Sequence, residues 1–202
     1  PKDVLKYWKA IAVHTKIDQD KESFLAREYD RLTYVDSNSA LGCYLEKKPI
    51  QKLNCALDNI IFPFSFNLSQ KQALENALMS NISVIEGPPG TGKTQSILNI
   101  IANLAIMQGK TVAVVSGNNA AVKNVYDKLV KEQYGFFVAP LGNKDNRKAF
   151  FENLPQYDVT GWQCASEESV IFEKINNLNG KINYLLALNN EKAKLQQELD
   201  AY

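Results

Sequence analysis

Apolar side chains recur every three or four residues over much of this chain, a period typical of amphipathic helices. Two such stretches precede residue 60, and we interpret residues 1–60 as a helical lead-in. Another begins at Ser69, which we expect to cap its helix in a capping box with Gln72. The apolar face of that helix consists of Ala73, Leu74, Ala77 and Leu78. The spacing therefore predicts helices on both sides of residue 60.

Three short runs differ from this pattern because they are rich in β-branched or aromatic residues. They lie at residues 82–85, 111–115 and 136–139, and helical stretches separate them. Strands that alternate with helices form right-handed crossovers and a parallel sheet. We therefore predict an α/β fold class, with a parallel sheet inside a central domain at residues 61–165.

The last segment, residues 166–202, returns to three- and four-residue steps. Its apolar stripe consists of Ile171, Ile175, Leu178, Ile182, Leu185, Leu188, Leu195 and Leu199. A lone helix with one apolar stripe needs a partner to cover it. We predict a coiled-coil-like helical arm, of which this segment is the outgoing, truncated half.

One motif carries specific chemistry, the run Gly87-Pro88-Pro89-Gly90-Thr91-Gly92-Lys93-Thr94. A predicted strand precedes it and a predicted helix follows it, as a phosphate-binding loop requires. The glycines let successive backbone N–H groups and a helix N-terminus face the phosphates. We expect Lys93 to reach the β- and γ-phosphates and Thr94 to ligate Mg²⁺. A chance glycine-rich turn is the alternative, and the flanking elements argue against it.

Composition narrows the class of protein. With 202 residues and 45% hydrophobic content, the chain can hold one substantial domain with appendages. A net charge of +1 gives no global signature of nucleic-acid binding. Three scattered cysteines and a single histidine have no zinc-site spacing, and we expect reduced thiols. Because no apolar run reaches about 18 residues and no leader is evident, we expect a cytoplasmic protein without a membrane partner.

Two further motifs accompany the phosphate loop. Asn67-Leu68-Ser69-Gln70 precedes it by about one helix and one strand, and Val112–Val115 runs into Ser116-Gly117-Asn118-Asn119. In this order the three motifs resemble superfamily 1 helicases, most closely the branch of the nonsense-mediated-decay RNA helicase and its DNA-helicase relatives. The resemblance covers roughly residues 60–143. It implies a partial RecA-like, AAA-type P-loop NTPase core that uses ATP and Mg²⁺ and binds single-stranded DNA or RNA.

The resemblance also implies roles for individual residues. Gln70 matches the glutamine that reads adenine, and the alternative is an exposed glutamine in the first turn of a helix. Ser116, Asn118 and Asn119 match a segment that grips single strands, and the alternative is a helix cap. Lys93 and Thr94 would be the catalytic pair. The full nucleotide site would comprise Gln70, Gly87, Pro88, Pro89, Gly90, Thr91, Gly92, Lys93, Thr94 and Gln95.

The chain also departs from the family. No apolar strand ends in the Asp-Glu pair that hydrolysis needs, and a second RecA-like domain is missing. We therefore predict the N-terminal portion of an ATP-dependent helicase or translocase, which binds adenine nucleotide but hydrolyses it negligibly. An alternative is an ATP-regulated scaffold whose helical arm recruits a protein. A small-molecule P-loop kinase ranks lowest, because the glutamine motif and the strand-gripping turn have no role in one.

Overall fold

The computed structural model describes residues 2–15, 23–50, 57, 59–154, 156–158 and 160–201. These residues fold into helices joined by irregular segments. The elements are α1 Lys2–Ala12, α2 Phe24–Arg31, α3 Ala40–Leu45, α4 Leu68–Met79, α5 Lys93–Ile101, a π-helix Ala102–Met107, α6 Asn119–Lys131, a 3₁₀-helix Gly135–Phe137, α7 Lys144–Glu152 and α8 Glu168–Asp200. The chain divides into two compact units, Pro1–Cys55 with Ala77–Val84 and Ala56–Asn76 with Ile85–Tyr202.

The predicted parallel sheet, and with it the α/β, RecA-like fold class, is wrong. The described residues contain no β-strand, and residues 136–137 belong to a 3₁₀-helix instead. A parallel strand needs hydrogen-bonded neighbours and cover on both faces. Val84 and Val115 have neither, since 77% and 87% of their surfaces are exposed. A β-branched run indicates a local preference, but it does not supply the neighbouring strand.

The first unit contains the helices predicted before residue 60. Ser23 caps α2 by accepting the N–H of Ala26, and Ser39 caps α3 by accepting the N–H of Gly42. The ring of Trp8 on α1 lies 6.1 Å from the rings of both Tyr29 and Tyr44. These aromatic contacts join the three helices of the unit.

The core of the second unit lies between α5 and α6. Its buried members are Phe64, Leu98, Ile101, Val125 and Leu129. Fully burying side chains of this size contributes about 1.5–3 kcal/mol each. This packing holds α5 in place. Because α5 begins at Lys93 of the phosphate loop, it also supports the loop.

The predicted arm is present as α8, a single helix of 33 residues. Four leucines of its C-terminal half are exposed, from 43% at Leu188 to 69% at Leu199. The helix of the arm is thus confirmed, whereas its coiled-coil pairing stays a prediction. No helix within the described ranges is long and apolar enough to cross a membrane.

Candidate nucleotide-binding site

The phosphate loop has the backbone that its glycines permit. Gly90 and Gly92 have φ angles of +87° and +81°, which L side chains rarely adopt. Gly92 is also the N-cap residue of α5, so the helix begins as the loop ends. The hydroxyl of Thr91 donates to the carbonyl of Pro88 at 2.9 Å and holds the loop closed. Residues 87–91 are exposed, so the loop is accessible to a ligand.

The ammonium group of Lys93 lies over this loop. Its Nζ donates to the carbonyl oxygen of Gly87 and, at 2.7 Å, to that of Pro88. Lys93 is also the first residue of α5, and the N-terminus of a helix favours an anion through its first-turn N–H groups and its dipole. A bound phosphate oxygen would accept the hydrogen bonds that Lys93 donates here to the carbonyls of Gly87 and Pro88.

Gln70 lies in the first turn of the neighbouring helix α4, and the cap of this helix differs from the prediction. Asn67, and not Ser69, provides the cap: the N–H of Gln70 donates to Asn67 Oδ1, and the N–H of Asn67 donates to Gln70 Oε1, both at 2.9 Å. This is a reciprocal capping box with amides at both positions. The predicted box of Ser69 and Gln72 is thus wrong by two residues, because Asn caps a helix as well as Ser does.

The same Gln70 side chain also contacts the phosphate loop. Its Nε2 donates to the carbonyl of Thr91 at 3.1 Å and lies 3.4 Å from that of Gly92. A Cβ atom at Gly92 would lie only 2.0 Å from this Nε2. The positive φ angle of Gly92 therefore favours glycine, and any side chain at this position would also displace the Gln70 amide from the loop.

Thr94 and Gln95 lie in the first turn of α5, and both are half-buried. Gln95 extends the contact with α4, since its Oε1 lies 3.5 Å from Gln70 Nε2. Thr94 directly follows the lysine, the position from which we predict that its hydroxyl ligates Mg²⁺. The structure thus brings Gln70 and Gln95 to the loop that carries Lys93 and Thr94.

The predicted single-strand segment lies at the N-terminus of α6. Asn118 is the N-cap, and its Oδ1 accepts the N–H of Ala120 at 2.9 Å. Ser116 Oγ in turn accepts the N–H of Asn118 at 3.1 Å. Both residues and Asn119 are exposed. The capping alternative is therefore observed for Asn118, and the contact with a single strand stays a prediction.

Two asparagines behind the loop were missed by sequence reasoning. Asn99 and Asn103 follow the loop on α5 and on the π-helix, and each is only 1% exposed. Each side-chain amide bonds both the N–H and the carbonyl of one residue, Phe64 and Ile61 respectively. The available signal was a pair of asparagines four residues apart in the otherwise apolar stretch of residues 97–107.

Comparison of the sequence with known protein families shows one match. A family model described as an AAA domain matches residues 65–201, more than half of the chain. The chain belongs to this AAA domain family. The matched range contains the whole phosphate loop and all of α8, so both are parts of the AAA domain.

Several curated proteins are similar to this AAA domain. An uncharacterized ATP-dependent helicase of Methanocaldococcus jannaschii is 30% identical over 76% of this chain and 22% of its own length. The DNA polymerase alpha-associated DNA helicase A of Schizosaccharomyces pombe is 39% identical over 34% of this chain and 10% of its own. A regulator of nonsense transcripts 1 homolog of Neurospora crassa is 32% identical over 52% of this chain and 11% of its own.

These relatives confirm the predicted membership of the superfamily 1 helicase branch. The chain spans less than a quarter of the length of each of them. No solved structure matches the chain.

Proposed function

We propose that this chain is the adenine-nucleotide-binding part of an ATP-dependent helicase or single-strand translocase. The observation that carries the proposal is the Lys93 ammonium group, which lies over an exposed, glycine-shaped loop at the N-terminus of a helix. Backbone N–H groups, a helix dipole and a lysine together form an anion site suited to phosphates. The similarity to ATP-dependent helicases supports ATP as the source of those phosphates.

The residues present fit ATP with Mg²⁺. Lys93 would bind the β- and γ-phosphates after it leaves the carbonyls of Gly87 and Pro88. The backbone from Gly90 to Gly92 would face the β-phosphate, and the Thr94 hydroxyl would hold the metal. Mg²⁺ supplies positive charge that neutralises the phosphate oxygens. Binding without rapid turnover is expected, because no apolar run of this sequence ends in the Asp-Glu pair that would position the attacking water.

Gln70 can serve the base without leaving the loop. A side-chain amide has two donor hydrogens and two acceptor lone pairs. Asn67 uses one lone pair and Thr91 uses one hydrogen, at 2.9 and 3.1 Å. One lone pair remains, and the second hydrogen makes only long contacts of 3.4 and 3.5 Å with the Gly92 carbonyl and Gln95 Oε1. If adenine takes over that hydrogen, Gln70 offers the donor and the acceptor that the N7 and N6 edge requires. We therefore propose that Gln70 both positions the loop and selects adenine.

Nucleotide selectivity and metal dependence test this site. A bound fluorescent ADP should be displaced by ATP at a lower concentration than by GTP. Thr94→Ala should remove the Mg²⁺ dependence of ATP affinity, whereas Thr111→Ala, at an exposed threonine outside the loop, should retain it. Equal displacement by GTP, or a Thr94→Ala protein with wild-type Mg²⁺ dependence, would contradict the proposed roles.

Contact with a single strand is proposed at Ser116, Asn118 and Asn119, where an exposed helix N-terminus suits a phosphate oxygen. Asn118→Asp keeps the cap but adds a negative charge, so it should weaken the binding of labelled oligo-dT or oligo-U. Asn143→Asp is the matched control, because Asn143 caps α7 in the same way. Equal strand affinity in both variants would contradict this contact.

The second candidate is an ATP-regulated scaffold that recruits a protein through α8. The exposed stripe of Leu185, Leu188, Leu195 and Leu199 favours it. This candidate predicts nucleotide binding that depends on Lys93 but no affinity for DNA or RNA strands. Strand binding that Asn118→Asp weakens and Asn143→Asp does not would decide against it.

A further inference from the structure

Residues 59–64, here called the strap, are held against α5 and the π-helix by two side-chain amides. Asn103 donates to the carbonyl of Ile61 at 2.7 Å and accepts its N–H at 3.0 Å. Asn99 bonds Phe64 in the same manner, at 2.7 and 3.1 Å. Each asparagine thus satisfies the backbone of one strap residue, as a neighbouring strand would in a sheet.

The other end of the strap is held by α8. Asn176 Oδ1 accepts the N–H of Asn59 at 2.9 Å, and Asn179 Nδ2 donates to the carbonyl of Ile60 at 2.8 Å. The two asparagines are three residues apart and therefore lie on one face of α8. Four asparagines on three helical elements consequently bond the backbone of four of the six strap residues.

The strap is connected to the phosphate loop through α5 and through α4. Its contacts run backward along α5 and the π-helix, since Ile61 bonds Asn103 and Phe64 bonds Asn99. The chain then enters α4, where Gln70 bonds the loop at Thr91. At 1.5 Å per residue, Asn103 lies about 15 Å and Asn99 about 9 Å along the helix from Lys93. The route from α8 to the loop is therefore short and continuous.

Burial makes the two ends of the strap unequal. Asn99 and Asn103 are each 1% exposed, and leaving a buried polar group without its partner is strongly unfavourable. The strap therefore stays bound to α5 and the π-helix. Asn176 is exposed, so water can replace its hydrogen bond to Asn59. The strap can therefore form and break its contact with α8 more easily than its contacts with α5 and the π-helix.

We propose that the strap couples α8 to the phosphate loop, so that Asn176 and Asn179 are positioning residues for nucleotide binding. The inference rests on the proposed nucleotide function of the loop. A shift of α8 pulls on Asn59 and Ile60. Because Asn103 and Asn99 tie the strap to the π-helix and α5, the pull reaches the loop through α5, which begins at Lys93, and through α4 and the contact of Gln70 with Thr91. Nucleotide bound at the loop affects α8 by the same route, because coupling between two sites is reciprocal.

The test compares the double variant Asn176→Ala/Asn179→Ala with Asn177→Ala in the full 202-residue chain. Asn177 is an exposed asparagine between the two positions and serves as the matched control. Titration with a fluorescent ADP should show affinity reduced about fivefold or more in the double variant, the lower end of typical coupling. The control should stay within about twofold of wild type.

A second readout separates coupling from a merely structural contact. Saturating ADP should slow the hydrogen exchange of α8 amides near residues 171–182 in the wild type. The double variant should lose this response while the amides of Ile61 and Phe64 stay protected by Asn103 and Asn99. Wild-type affinity in the double variant, or α8 exchange that ADP leaves unchanged in the wild type, would overturn the coupling alone. A wild-type chain that binds no nucleotide would overturn the proposed function and the coupling together.

Discussion

Asn99 offers the sharpest test of how the phosphate-loop helix is held. Asn99→Leu replaces the amide by an apolar side chain of similar size at a position that is 1% exposed. The N–H and the carbonyl of Phe64 both lose their partner, and Phe64 itself is only 9% exposed. Two unsatisfied buried groups cost about 2–6 kcal/mol together. The buried leucine offsets about 2 kcal/mol of that, so we expect a net destabilisation of about 2 kcal/mol.

Urea denaturation followed by tryptophan fluorescence measures this effect. The background variant Trp8→Phe leaves Trp162 as the reporter of the second unit, where its ring lies 4.5 Å from that of Phe136. Asn177→Leu, at an exposed asparagine on α8, should change the free energy of unfolding by no more than about 0.5 kcal/mol. A destabilisation by Asn99→Leu smaller than about 0.5 kcal/mol would refute the reasoning, because the two hydrogen bonds would then be dispensable.

Three further outcomes are expected. Gly92→Ala places a Cβ atom 2.0 Å from Gln70 Nε2 at a φ angle of +81°, so this variant should bind fluorescent ADP at least about tenfold more weakly. The control variant Gly142→Ala has open space around its Cβ position and should bind ADP normally. Asn118→Ala removes the cap of α6 and should cost about 1 kcal/mol in urea denaturation, whereas Asn118→Asp should cost little. Hydrogen bonds from the Thr160 hydroxyl and, to a smaller extent, from its N–H lower the pKa of Asp158. An NMR titration should therefore show a higher Asp158 pKa in Thr160→Val. An unchanged Asp158 pKa in this variant would contradict the role given to Thr160.

The sign of the Asp158 effect follows from that direction. A carboxyl whose pKa is lower in the folded chain stabilises the fold above its unfolded pKa, about 3.9. The contribution is lost as the pH falls through the lower, folded pKa. The turn at Asp158 and Thr160 should therefore loosen only in strong acid, and Thr160→Val should remove that dependence.

Sequence reasoning predicted the elements that depend on local order. The period of three to four residues located α4, α6 and α8, and the glycine spacing located the phosphate loop with its helix. The sheet was not predictable in the same way. Val84 and Val115 indicate a preference for strands, but within the described part of the chain no strand pairs with either. Pairing is a property of two segments, and a pattern in one of them cannot supply it.

The contacts around the loop depend on tertiary structure. Gln70 reads as the start of a helix, yet its Nε2 reaches the carbonyl of Thr91, 21 residues away. Asn99 and Asn103 read as polar interruptions of an apolar helix, although they are among its most buried side chains. Because an asparagine suits a surface, a cap or a buried backbone contact equally well, its role emerges only when its partner is known.

The most direct test of the central claim is a calorimetric titration of ATP with Mg²⁺ into the wild type, Lys93→Ala and Lys110→Ala. Lys110 is an exposed lysine beyond the π-helix and controls for the loss of one charge. We predict binding to the wild type and to Lys110→Ala, and affinity at least about tenfold weaker in Lys93→Ala, since a lost charge-assisted contact of about 1.5–3 kcal/mol corresponds to that factor. Equal affinity in all three proteins would contradict the claim that the loop at residues 87–94 binds the phosphates.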